Sequence, residues 1–156
     1  MDTKYTSVLD QIQTLDQRES FINAIDQILD ARFLTKANID EVVEKKTTLF
    51  NAKILLGLLT KYKEIYKDSE KFDHFIKDIR SYINELPVIR LQVPIEYQTR
   101  DVSELYAWFN TNVKKKVILD IHQNNRLLGG CIVEINGVHK DYSLRSSITH
   151  YLSPQK

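Results

Sequence analysis

A chain of 156 residues, 42% hydrophobic and 28% charged, has the size and composition of one ordinary globular domain or two small ones. Its net charge of +1 points away from nucleic acid or anionic lipid as a general partner, and its one cysteine excludes an intramolecular disulfide. The longest uncharged apolar run, Ile54 to Thr60, is far too short to cross a bilayer. Met1-Asp2-Thr3-Lys4 lacks the basic and apolar regions of a signal peptide, and Asp2 and Asp10 speak against a mitochondrial presequence. The expectation is a soluble protein of the bacterial cytoplasm. A length of this order buries roughly two thirds of the unfolded surface.

The first half is helical by pattern. Val8, Leu9, Ile12 and Leu15 recur at helical spacing. Asp16 and Glu19 have the spacing of a capping box, and Phe21, Ile22, Ile25, Ile28 and Leu29 follow as a one-sided apolar stripe. Asn38 with Glu41 marks the start of a short helix bearing Ile39, Val42 and Val43. A longer helix is predicted from Leu49 to Tyr66. Its apolar set of Leu49, Phe50, Ile54, Leu55, Leu58, Leu59, Tyr62 and Ile65 covers more than one face, as in the central helix of a bundle. Asp68 or Ser69 caps the next helix, which carries Phe72, Phe75, Ile76, Ile79, Ile83 and Leu86. Short connections imply antiparallel neighbours.

The composition shifts at Pro87. Before it stand one glycine and no proline, with 13 basic and 15 acidic side chains; after residue 86 the balance is 9 basic to 6 acidic. The boundary is therefore placed between residues 1–86, a helical bundle, and residues 87–156. The period changes as well. Val88 to Val93 alternates and stops at Pro94, a strand compatible with a sheet edge. Asp101 and Glu104 again have capping-box spacing, ahead of an amphipathic helix with Val102, Leu105, Tyr106, Phe109 and Val113. Lys116 to Ile121 reads as a strand. Cys131 to Ile135 reads as a strand buried on at least one face, and Asn136-Gly137 is a strong hairpin signal, because a type I′ turn needs φ > 0 at both central residues. Ser143 is placed as the N-cap of a last helix ending near Tyr151. The fold class is α+β: an all-α bundle followed by a small strand–helix–strand–hairpin–helix domain.

No catalytic or metal site emerges. His74, His122, His139 and His150 show no paired metal-ligand spacing. Gly129-Gly130 is followed by a strand rather than a helix, so a phosphate cradle fails. Cys131 reads as a small buried hydrophobe, with a Cys131–His122 or Cys131–His139 pair as the enzymatic alternative. Lys114-Lys115-Lys116 reads as solvated cations at a helix C-terminus. Trp108 beside Phe109 fits either core or contact surface. No catalytic, cofactor or metal-binding residue is assigned.

Leu127-Leu128-Gly129-Gly130, the strand to Ile135, Asn136-Gly137 and Asp141-Tyr142-Ser143-Leu144-Arg145 stand in an order that resembles a family signature. The family is the F-type ATP synthase delta subunit, called oligomycin-sensitivity-conferring protein in mitochondria. It shows a strand, a pair resembling "LIGG", a further strand, a short turn and "D-x-S-[VL]-R". The resemblance covers roughly Leu49 to Leu152. It departs at Tyr142, where the family often has glycine, and ahead of Leu49, where two or three helices stand in place of the usual four.

The resemblance implies a noncatalytic stator subunit that joins the peripheral stalk to the top of the catalytic α3β3 hexamer. Such a subunit resists rotor torque and supports ATP synthesis driven by proton transport. The N-terminal bundle would bind the N-terminal helix of the α subunit, with Leu9, Ile12, Ile54 and Leu58 as candidate contacts. The C-terminal domain would bind the b-type stalk subunit. No cofactor and no nucleic acid is implied, and the membrane is reached only through the complex, on its cytoplasmic face. Leu128, Gly129, Gly130, Asn136, Gly137, Asp141, Ser143 and Arg145 are assigned to defining the fold, with Arg145 paired to Asp141 or Glu134. The alternative is an unrelated helical adaptor with an α+β tail.

Overall fold

A computed structural model describes residues 9–35, 39–62, 68–113 and 115–152. The chain divides into two compact units, Met1–Ile12 with Asp16–Glu85 and Gln13–Leu15 with Leu86–Lys156. Overall it is α+β, with helices first and a four-stranded mixed sheet with helices after them.

The first unit is built from α1 (Leu15–Thr35), α2 (Ile39–Lys46), α3 (Leu49–Lys61) and α4 (Ser69–Asn84). Each buries the stripe its sequence repeats. In α1 these are Phe21, Ala24, Ile25, Ile28 and Ala31, and in α4 Phe72, Phe75, Ile76, Ile79 and Ile83. Burying a side chain such as Phe21 or Ile79 contributes about 1.5–3 kcal/mol. In α3 the buried residues Asn51, Ala52, Ile54, Leu55, Leu58 and Leu59 share one side, so the expected burial of more than one face is not seen: Leu49 is 92% exposed and Phe50 is exposed as well, while Ile65 and Tyr66 lie outside the described residues. Thr48 is the N-cap, its hydroxyl accepting from Asn51 N–H at 3.3 Å, and within the first turn Leu49 and Phe50 face water while Asn51 and Ala52 are buried. Asn51 is buried and its amide donates to the Ser20 carbonyl (3.1 Å) and hydroxyl (2.9 Å), joining α3 to α1. Asp68 caps α4 and accepts from the N–H groups of Glu70 and Lys71, at 3.1 and 3.2 Å. Its carboxyl is held below the usual range by the Lys71 side chain and the same backbone donors.

Gly57 sits in the interior of α3 on its exposed side, and a Cβ there would meet nothing within 4 Å. Gly57→Ala is expected to raise stability by about 0.5–1 kcal/mol, by removing backbone freedom from the unfolded chain. Chemical denaturation gives the measurement; an unchanged or lower midpoint contradicts it.

The predicted first helix does not run on to Leu15. Leu9 and Ile12 are buried, Val8 lies outside the described residues, and the chain then extends. Gln13 accepts the Leu119 N–H at 2.8 Å and Thr14 forms a parallel bridge with Leu119. A pairing with a strand over a hundred residues away overrides the local helical spacing. Asp16 accordingly falls inside α1 rather than ahead of it.

The second unit contains β1 (Val88–Val93), α5 (Thr99–Val113), β2 (Ile118–Gln123), β3 (Ile132–Ile135), β4 (Val138–Asp141) and α6 (Leu144–Leu152). The sheet order is β2-β1-β3-β4, with β1 parallel to β2, antiparallel to β3, and β3 and β4 forming the hairpin. Val88 to Val93 is thus an interior strand and not an edge. Pro94 is compatible with that because it lies just past the last paired residue, where no ladder donor is needed. The core of this unit is Ile89, Leu91, Val102, Tyr106, Phe109, Val117, Leu119 and Ile121.

Candidate docking groove

Strand register decides what each face of the sheet carries. One cross-strand row runs Leu119, Ile89, Ile135, Val138, and the next runs Ile121, Leu91, Val133, Lys140. Side chains two apart share a face, so both rows lie on one apolar side. The row between them, on the opposite face, is Asp120, Arg90, Glu134, His139. Arg90 bridges Asp120 at 3.3 Å and Glu134 at 3.2 Å, His122 meets Asp120 at 2.8 Å, and His139 lies 3.8 Å from Glu134. The polar face is therefore a row of carboxylates met by Arg90 and by the two imidazoles.

Helix α5 covers part of the apolar face and packs on β2. Its start is fixed by Asp101, whose carboxylate accepts the Gln98 N–H at 2.9 Å. This is the returning half of a capping box, with Asp101 at the third helical position, so the helix begins earlier than the Asp101–Glu104 spacing predicts. Val102, Tyr106 and Phe109 point into the core. Beyond the helix, the β3–β4 side of the apolar face is only partly covered, with Val133 and Ile135 half-buried and Val138 exposed. A groove of about 690 Å³ results, walled by Leu105, Trp108 and Val113 of α5 and by Val133, Ile135 and Val138 of the hairpin. Trp108 is 58% exposed and stands edge-on to Phe109 with ring centroids 5.0 Å apart. Of the two readings the sequence leaves open, core or contact surface, the exposure of Trp108 removes the first.

The hairpin that forms this wall is held by its turns. Asn136 (φ 51°) and Gly137 (φ 77°) make the reversal between β3 and β4. The ladder continues past the strands: Tyr142 N–H donates to the Cys131 carbonyl and Leu144 N–H to the Gly129 carbonyl, both at 2.9 Å. Gly130, at φ 78°, lies where a Cβ would come within 2.2 Å of the Tyr142 carbonyl oxygen. Gly129 has no such constraint; a Cβ there would touch Leu144 at 3.7 Å, an ordinary contact.

At the junction to α6, Asp141 accepts the Ser143 N–H at 2.8 Å, and the Ser143 hydroxyl caps the helix by accepting from Ser146 N–H at 3.2 Å. Ser143 is buried. Its hydroxyl and N–H hold the Asp141 carboxyl below its usual value, and the charge of Arg145 adds to this. Arg145 thus acts on Asp141 through its field, whereas Glu134 is engaged by Arg90 and His139. Leu128 is exposed. Because the native pKa is depressed, the stabilisation is present at neutral pH and is lost as pH falls below about 4 through the native value. The gap in unfolding midpoint between the wild type and Asp141→Asn is therefore expected to be larger at neutral pH than near pH 3. A gap that does not change with pH contradicts it.

Leu9, Ile12, Ile54 and Leu58 are each at most 1% exposed and pack in the interior of the first unit. Among the described residues, the exposed large apolar side chains of that unit are Leu49 and Phe50. Cys131 is half-buried and lines the groove, while His122 and His139 belong to the opposite face, so the Cys–His pairs do not form. Lys140 and Tyr142 also line the groove. The sequence does not single out Lys140 and marks Tyr142 only as a departure from the family's usual glycine; neither reading shows that the two line one groove. Among the described residues no three His, Cys, Asp or Glu side chains are placed to hold a metal, and no helix is long and apolar enough to cross a membrane.

No curated protein sequence matches the chain. Residues 2–153 match the family described as ATP synthase delta (OSCP) subunit. With nearly its whole length matched, the chain belongs to the ATP synthase delta (OSCP) subunit family, structural subunits of the peripheral stalk.

Proposed function

We propose that the protein is the stator subunit that ties the b-type stalk to the α3β3 hexamer, and that the groove beside α5 is where the stalk subunit docks. The observation that carries this reading is the open apolar groove in a family that works by holding other subunits. A contact that must resist torque needs apolar area and a rigid frame. The sheet, α5 and the hairpin provide the frame, and the groove has room for several apolar side chains of an amphipathic helix. The first unit takes the N-terminal helix of the α subunit. Leu9, Ile12, Ile54 and Leu58 then act there as the packed interior that shapes the binding face. The complex sits on the cytoplasmic side of the membrane, and the protein contributes to proton-driven ATP synthesis without chemistry of its own.

Trp108 is the chain's single tryptophan and it lines the groove, so it reports on the site directly. Titration with the soluble segment of the cognate b-type subunit is expected to shift Trp108 emission to the blue as the indole is covered. A peptide of the α-subunit N-terminus is expected to bind without that shift. Failure of the stalk segment to bind, or binding that leaves the emission unchanged, overturns the assignment of the groove.

A further inference from the structure

Among the described residues that line it, the groove is mostly apolar, with Asn112 and Tyr142 as neutral polar members and Lys140 as the one charged side chain. It ends the row Ile121, Leu91, Val133, Lys140 and is exposed on β4. The other face of the same sheet is arranged differently. There Arg90, His122 and His139 each face a carboxylate, at 2.8 to 3.8 Å. Among the described residues no acidic side chain lines the groove, and none pairs with Lys140. The nearest acid in sequence, Asp141, belongs to the opposite face and is committed to Ser143. Among the described residues, Lys140 is thus a cation without a counter-charge at the rim of a mostly apolar site.

Resting on the assignment of the groove to the stalk subunit, we infer that the docking helix carries an aspartate or glutamate at the edge of its apolar stripe, and that this carboxylate pairs with Lys140. The apolar rows hold the stripe, and the pair sets the direction and register of the helix along the groove. An ammonium ion beside apolar walls is desolvated on one side when a helix covers it. A carboxylate there compensates that loss, whereas a second cation or an apolar residue does not. The occupant's chemistry is therefore an amphipathic helix with an acidic flank.

The test measures binding of the full chain to the soluble segment of the cognate b-type subunit, at low and high salt. Lys140→Glu is expected to weaken binding tenfold or more at low salt. Lys140→Arg keeps the affinity, and Lys140→Gln binds more weakly than wild type and with less dependence on salt. Reversing the matching acid of the stalk segment to lysine is expected to restore binding to the Lys140→Glu protein. Lys140 is an exposed strand residue, and the circular dichroism of each variant shows that the fold is kept. If wild type binds and Lys140→Glu binds as well, with the same salt dependence, the carboxylate pair is overturned while the groove assignment stands. If wild type itself does not bind, both fall.

Discussion

Gly130→Ala is expected to destabilise the second unit by about 3–5 kcal/mol, far more than any other glycine substitution in the chain. Two costs add. The backbone stands at φ 78°, where a residue with a Cβ loses about 1–2 kcal/mol. The new methyl carbon would also sit 2.2 Å from the Tyr142 carbonyl oxygen and 2.9 Å from Ser143 Cα. Both neighbours are backbone atoms, so no side chain can swing aside. The strand must move apart, which strains the Tyr142 to Cys131 and Leu144 to Gly129 hydrogen bonds and the Asp141–Ser143 cap that depends on them. The other glycines separate the two costs. Gly137→Ala carries the positive φ of 77° but meets nothing within 4 Å, so it is expected to lose only about 1–2 kcal/mol. Gly129→Ala has no positive φ and is expected to stay within about 1 kcal/mol of wild type. Thermal or denaturant unfolding measures the order. A Gly130→Ala midpoint no lower than that of Gly137→Ala would show that the close approach is not what fixes this position.

The hairpin turn and the capped helix beside that glycine were legible in the sequence because their reasons are local. A glycine pair before a strand, Asn-Gly at a reversal and Asp-x-Ser at a helix start each satisfy nearby backbone, and the structure shows a hairpin and a capped helix there. The limits of β1 were legible for the same reason, since alternation ends at a proline. What the sequence did not show depends on partners far along the chain. Gln13 and Thr14 leave the helical pattern for Leu119, and β1 becomes interior because β3 returns to its free side. Leu9, Ile12, Ile54 and Leu58 illustrate a different limit. Apolar periodicity marks a face that leaves water, but it does not say whether the chain itself or another chain covers that face; here all four are covered from within. The groove was hidden for the converse reason. Val133, Ile135 and Val138 look like ordinary core strand residues, and the placement of α5 on the β2 side leaves the first two half-buried and Val138 exposed.

Trp108→Ala is expected to weaken binding of the b-type stalk segment by about thirtyfold or more, the loss of at least 2 kcal/mol typical of a central interface tryptophan. The side chain is the largest one facing the groove, and its indole is 58% exposed, so an arriving helix buries area that the folded chain leaves in water. Its orientation costs little to maintain, because the edge-on packing against the buried Phe109 holds the ring before the partner arrives. The same exposure means the fold does not rely on it. The substitution is expected to change unfolding free energy by no more than about 1.5 kcal/mol, the scale of one aromatic pair. Stability and affinity are thereby separated: Phe109→Ala, which empties the core, is expected to cost about 3–5 kcal/mol in stability. Leu128 and Leu49 provide the control, since both are exposed leucines outside the groove lining. Calorimetric titration of Leu128→Ala and Leu49→Ala is expected to give the wild-type affinity for the stalk segment. Exposed apolar surface anywhere on the chain would contribute equally if stalk binding were nonspecific association. A large loss at Trp108 with none at the two leucines is the outcome that a shaped groove requires. Equal losses at all three would place the stalk contact elsewhere.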